Sequence, residues 1–128
     1  MQWIKPSASK VTSTDKGKLT EQLAADYLIS QGLTFVERNF HCRNGEIDLI
    51  MLDGDTYVFV EVKYRKSNSF GGAVAAIPAS KQQKIKHCVT YYLQHVGLNE
   101  YSTCCRVDVV TLDGQIAQPK LAWLKNAF

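Results

Sequence analysis

The stretch Gly45-Glu-Ile-Asp-Leu-Ile-Met-Leu-Asp-Gly-Asp-Thr-Tyr-Val-Phe-Val-Glu-Val-Lys63 decides how this chain folds. Glu46–Leu52 and Tyr57–Lys63 alternate around β-branched and aromatic residues, and Asp53-Gly54-Asp55 between them signals a hairpin turn. With Gly54-Asp55 at the centre of the turn, Asp53 faces Thr56. Counting outward then sets Asp48 opposite Glu61 and Glu46 opposite Lys63. A four-residue loop, Asp53–Thr56, gives the same pairing. Centring the turn on Asp53-Gly54 makes Asp48 and Glu61 diagonal neighbours on one face. A three-residue loop would send them to opposite faces, because side chains alternate along a strand.

Residues directly opposite across an antiparallel pair have Cβ atoms about 4.5–5.5 Å apart, and like charges so placed repel. Two facing acids in a hairpin of otherwise core-like residues therefore need a compensating partner. One reading is a divalent cation with oxygen ligands. The other is a shared proton, or the ammonium of Lys63, which lies two residues beyond Glu61 and points the same way.

A chain of 128 residues is long enough for one domain with its own core. No apolar run approaches the length of a membrane span. The opening Met1-Gln-Trp-Ile-Lys-Pro-Ser7 lacks the apolar centre of a signal peptide. The expectation is a cytoplasmic protein with no membrane partner. Cys42, Cys88, Cys104 and Cys105 show no Cys-x-x-Cys spacing, so a structural zinc site is unsupported and four reduced thiols are expected. The net charge of +3 permits an anionic partner without demanding one.

Residues 1–13 carry Ser, Thr and Lys without periodicity and are expected to be a flexible tail; residues 14–128 form the single folded domain. Thr14-Asp15 can cap a helix that runs to about Gln31 and ends at Gly32. Its buried face comprises Leu19, Leu23, Ala24, Tyr27 and Leu28. Glu21 lies at the edge of that face, either complementing the helix dipole or serving as a third carboxylate. Phe35–Phe40 reads as a strand leading through His41–Asn44 into the hairpin, with Arg38 and Arg43 flanking the turn. After Lys63 comes a long basic connection to Ala79 containing Phe70-Gly71-Gly72, of a length often tied to function.

Pro78 and Ser80 open a second helix with the apolar stripe Ile85, Cys88, Val89, Tyr92, Leu93 and Val96, closed by Gly97. Lys81, Lys84 and Lys86 crowd its first turns. That is the wrong sign for the positive end of a helix dipole, unless a phosphate visits it. Arg106–Leu112 is a Val-rich strand, and Asp113-Gly114 turns into a short strand near Gln115–Gln118. Asp108 fits either a structural ion pair with Arg106 or a more distant acid. The order helix, three strands, helix, strand, short strand predicts an α/β fold: a mixed sheet with helices on its faces and a long crossover between parallel strands.

Gly17…Glu21-x-x-Ala24, Arg38-Asn39-Phe40, Gly45-Glu46-Ile47-Asp48-Leu49-Ile50, Phe59-Val60-Glu61-Val62-Lys63-x-Arg65 and Asn126-Ala127-Phe128 resemble the YraN-like family of bacterial proteins. That family looks like a branch of the PD-(D/E)XK nuclease superfamily, similar to archaeal Holliday-junction resolvases. The resemblance implies a restriction-endonuclease-like three-layer fold of order α-β-β-β-α-β-β. Asp48 becomes the motif aspartate, with Ile47 where the name-giving proline would stand, and Glu61-Val62-Lys63 becomes the (D/E)XK element.

The implied activity is Mg²⁺- or Mn²⁺-dependent hydrolysis of DNA phosphodiester bonds, selective for branched or junction DNA in repair and recombination. Asp48, Glu61 and the Val62 carbonyl would hold the metal, Lys63 would orient water, and Glu21 would join the catalytic set. Arg38, Arg43, Arg65, Lys66, Lys81 and Lys84 would grip phosphates, and the resolvase likeness suggests a homodimer. The competing expectation is a nucleic-acid-binding module without turnover on the same scaffold.

Overall fold

The computed structural model describes residues 13–66 and 77–128. Helix α1 (Ser13–Ser30) is followed by strands β1 (Thr34–Cys42), β2 (Gly45–Asp53) and β3 (Thr56–Arg65). Helix α2 (Ala79–His95) and strands β4 (Cys105–Asp113) and β5 (Lys120–Leu124) complete the fold. The tail expected over 1–13 lies outside the described residues except for Ser13, which opens α1. Phe70-Gly71-Gly72 of the long connection lies outside them as well.

The strands form one sheet in the order β1-β2-β3-β4-β5. Only β3 and β4 run parallel, in register from Tyr57↔Cys105 to Arg65↔Asp113; the other neighbours are antiparallel. This is the mixed sheet expected, with α2 inside the connection between the parallel strands. The β2–β3 turn takes the first of the registers considered. Asp53 pairs with Thr56 and the ladder runs to Leu49↔Val60. Gly54 sits at φ 60°, which a glycine as first central residue of a two-residue hairpin adopts without a Cβ clash.

Three layers follow from which side chains each face buries. Ala24, Ala25 and Leu28 of α1 pack with Leu49, Met51, Val58, Val60, Val110 and Leu112. Ile85, Cys88, Val89, Tyr92 and Leu93 of α2 pack on the other side with Phe40, Ile47, Ile50, Phe59 and Val107. Each Val, Leu, Ile, Phe and Met among these contributes about 1.5–3 kcal/mol when fully withdrawn from water, so the two helix–sheet interfaces carry the fold. The buried stripe of α1 is shifted from the one expected: Leu19 is 41% exposed and Thr20 is buried instead. Small Ala24 and Ala25 let the helix lie close to the sheet, which turns Leu19 outward. On α2 the stripe ends at Leu93, and Val96 is 43% exposed. The helix closes at Gly97 (φ 79°), with the Leu98 N–H donating to the Leu93 carbonyl at 2.7 Å.

Two expectations are corrected. The last strand is not at Gln115–Gln118. Those residues turn, with the Gln118 N–H donating to the Gln115 carbonyl, and pairing resumes at Asp113↔Lys120. Pro119, which has no N–H for a ladder, stands just outside the strand. Nor are all four cysteines thiols. Cys42 at the end of β1 and Cys88 on α2 form a disulfide with Cα atoms 5.6 Å apart, while Cys104 and Cys105 are free and exposed. The pair is 46 residues apart in sequence, and only the packing of α2 on the β1–β2 end of the sheet brings it together.

Asp108 resolves as structural. It is fully buried and accepts from Arg106 Nε at 3.0 and 3.1 Å, Trp123 Nε1 at 2.9 Å and the Asn126 N–H at 2.8 Å. Arg106 also reaches Asp53 at 3.0 Å. The network ties the β2–β3 turn, β4, β5 and the chain end together. No helix among the described residues is long and apolar enough to cross a membrane.

Candidate metal and phosphate site

Beyond Leu49↔Val60 the central hairpin departs from a regular ladder. Arg38↔Leu49 and Phe40↔Ile47 are paired in β1–β2, while Asn39 between them lies at φ 53°. This left-handed conformation is one that asparagine tolerates better than most residues. Ile47 packs in the α2 cluster and Leu49 in the α1 cluster, although strict alternation would put both on one side. The break in alternation falls between them, at Asp48. Freed from the ladder, its Oδ2 accepts the Val62 N–H at 2.8 Å.

An open cleft of about 440 Å³ lies here, lined by Glu21, Asp48, Glu61, Val62, Lys63 and Lys81, with Lys16, Gly17 and Thr20 of α1 and Tyr64 of β3 completing it. Asp48, Glu61 and Lys63 therefore share one cavity, and Glu21 joins them from the early turns of α1. Lys63 is half-buried. Asp48 and Glu61 are 8% and 5% exposed, unusual depths for carboxylates. The expected pairing of Glu46 with Lys63 does not form. Glu46 stands across from His41 on β1 and meets its Nδ1 at 3.1 Å, because β2 has parted from β3 at that point.

The electrostatics are strained. Burial, then the charge of Glu61, pushes Asp48 up to about 8; the Val62 N–H pulls the other way, and Glu21 and Glu46 add to the rise. Burial also raises Glu21, against a hydrogen bond from Asn39, and Glu46 adds to it. Carboxylate oxygens of Glu21, Glu46 and Asp48 lie within 4.8 Å of one another. Oxygens sharing one Mg²⁺ at about 2.1 Å sit at most about 4.2 Å apart, so a slight closing movement would fit them around an ion. An all-oxygen donor set of crowded carboxyls suits a hard divalent cation, whose charge would favour their ionised forms. Glu61 is turned elsewhere, its Oε1 2.9 Å from Lys81 Nζ.

The basic residues divide. Lys81 is committed to Glu61. Arg65 is engaged by Asp113 at 3.2 Å and largely buried. Arg38 donates to Gln22 at 2.9 Å and lies over the Phe35 ring. Arg43 is exposed at the β1–β2 turn, Lys84 is exposed on α2, and Lys66 is exposed at the last residue described before 67–76. Lys84 stands close to the hairpin, its Cβ 3.5 Å from where a side chain on Gly45 would begin. Sequence reasoning assigned no role to Lys16, Thr20 or Asn39. Asn39 carried a faint signal, as a turn-prone residue inside a strand pattern. The other two are ordinary helix residues whose place in the cleft depends on how α1 docks.

The model of the Uncharacterised protein family UPF0102 matches residues 20–112, a span holding every acid of the cleft. A UPF0102 protein of Colwellia psychrerythraea is 70% identical over 124 residues, covering 97% of this chain and 96% of that one. One of Psychromonas ingrahamii is 47% identical over 116 residues, with 91% of each chain covered. One of Aeromonas hydrophila is 46% identical over 117 residues, covering 91% of this chain and 87% of the other. On that identity and coverage, the chain belongs to the UPF0102, or YraN-like, family.

Proposed function

We propose that this protein is a Mg²⁺- or Mn²⁺-dependent nuclease acting on DNA, on the plan of the PD-(D/E)XK superfamily. The observation that carries the reading is the buried Asp48. It is held up at about 8 by burial and neighbouring acids, in a cleft that also presents an ammonium at Lys63. Ionising such a carboxyl is costly in a folded protein unless something cationic completes it.

Asp48, Glu61 and the Val62 carbonyl would hold the metal, with Glu21 and Glu46 as further carboxylates near Asp48. When bound, the ion would lower the pKa of its water and offset charge on the phosphate. Lys63 would orient the attacking water or stabilise charge building on the phosphoryl oxygens. The Val62 N–H holds Asp48 in one orientation, which keeps the ligand in position before the ion arrives. Exposed Arg43, Lys66 and Lys84, with Arg38, would contact the sugar-phosphate backbone, which positions a duplex without reading its sequence. Arg65 is a weaker candidate for this role, since Asp113 already satisfies it.

The test is a cleavage screen with junction, flap, nicked and linear DNA, single strands and RNA, in Mg²⁺ and in Mn²⁺. Wild type should cut at least one DNA substrate, and Lys63→Ala should lose that activity while remaining folded. Salt-sensitive DNA binding without turnover on any substrate would replace this reading with the binding-module one.

A further inference from the structure

We infer that Lys81 is a built-in counter-cation: it holds Glu61 in the metal-free protein and competes with an entering divalent ion for that carboxylate. The inference rests on the proposed metal-dependent reading of the cleft and adds how loading is controlled. Lys81 Nζ sits 2.9 Å from Glu61 Oε1. Glu61 is nearly sealed from water, yet the Lys81 side chain is about half exposed and lines the same cleft as Asp48. One partner is fixed in the sheet, and the other is a flexible stem at the cleft wall that can swing into solvent.

Burial works against the charge on Lys81, but the hydrogen bond and charge of Glu61, then Asp48 and Glu46, outweigh it and raise its pKa. The Lys81 ammonium is thus the cation that the fold sets against Glu61. Removing it with nothing in exchange would strand a buried carboxylate, so it leaves readily only when another cation takes over. This also accounts for a lysine at the start of α2, where no acid complements the dipole. Once displaced, the ammonium would remain at the cleft beside Lys63, free to meet a phosphate. Phosphate grip would then follow metal loading.

Calorimetric titration of the full chain with Mn²⁺ tests this. Lys81→Met should bind Mn²⁺ about tenfold more tightly than wild type, within the usual range for coupled sites. Lys81→Arg, which keeps the charge, should bind no more tightly than wild type. Lys86→Met, which removes a charge elsewhere on α2, should change affinity less than about twofold, as expected for a screened surface charge. Equal or weaker binding by Lys81→Met, with wild type binding normally, overturns the competition and leaves the metal site standing. If wild type and Lys81→Met both fail to bind Mn²⁺, the metal reading falls and takes this inference with it.

Discussion

Replacing Asp48 with asparagine should abolish metal-dependent cleavage and, in metal-free protein, make the fold more stable at alkaline pH. The carboxylate loses water and feels the nearby charge of Glu61, so its folded pKa of about 8 stands far above the ordinary aspartate value of 3.8. Between about pH 4 and 8 the folded chain keeps a proton that the unfolded chain has released. Stability must then fall as pH rises through that window. At 1.36 kcal/mol per pKa unit, the loss over the three units between pH 5 and 8 reaches at most about 4 kcal/mol. Glu21, also raised, adds in the same direction.

Asparagine removes the charge and keeps an oxygen for the Val62 N–H, so the variant should lose most of this slope. Urea unfolding in chelator at several pH values measures it, and adding Mg²⁺ at ten times its dissociation constant should restore about 1.4 kcal/mol to wild type alone. A wild-type stability that is flat or rises from pH 5 to 8 would refute the reasoning. So would an Asp48→Asn protein that gains as much from Mg²⁺ as wild type does.

The other predictions concern the scaffold around the cleft. The double change Cys42→Ser with Cys88→Ser opens a loop of 46 residues, and the chain-entropy model puts its cost at about 4 kcal/mol. Urea midpoints measure this, and a thiol assay that finds four free cysteines in the unreduced protein would refute it. Asp108→Asn strips the charge from a fully buried acid paired with Arg106 and should cost about 3 kcal/mol or more. Mn²⁺ affinity should stay within about twofold, since Asp108 is engaged by Arg106, Trp123 and Asn126 and does not line the cleft; loss of metal binding in a folded variant would place Asp108 in the site. Asn39→Gly should unfold within about 1 kcal/mol of wild type, whereas Asn39→Val should lose about 2 kcal/mol for a branched residue at positive φ. Equal stability of the two variants would remove the backbone reason for asparagine there.

The element order, the mixed sheet and the β2–β3 register were legible in the chain itself, because they depend on local periods and one turn. Alternation over Glu46–Leu52 and Tyr57–Lys63 with Gly54 between them leaves few ways to pair the strands, and any even-length turn brings Asp48 and Glu61 to one side. Helix ends at Gly32 and Gly97 were legible for the same reason: a left-handed residue stops a helix wherever it occurs. Tertiary packing decided the rest. The end of the β2–β3 ladder at Leu49↔Val60 separates Glu46 from Lys63, and the β1–β2 register gives Glu46 to His41. The docking of α1 selects Thr20 over Leu19 for burial and brings Lys16 to the cleft. The docking of α2 joins Cys42 to Cys88 and sets Lys81 on Glu61. These outcomes depend on distances between segments remote in sequence, which no local pattern encodes. The pattern named the acids, and the packing of two helices against the sheet chose their partners.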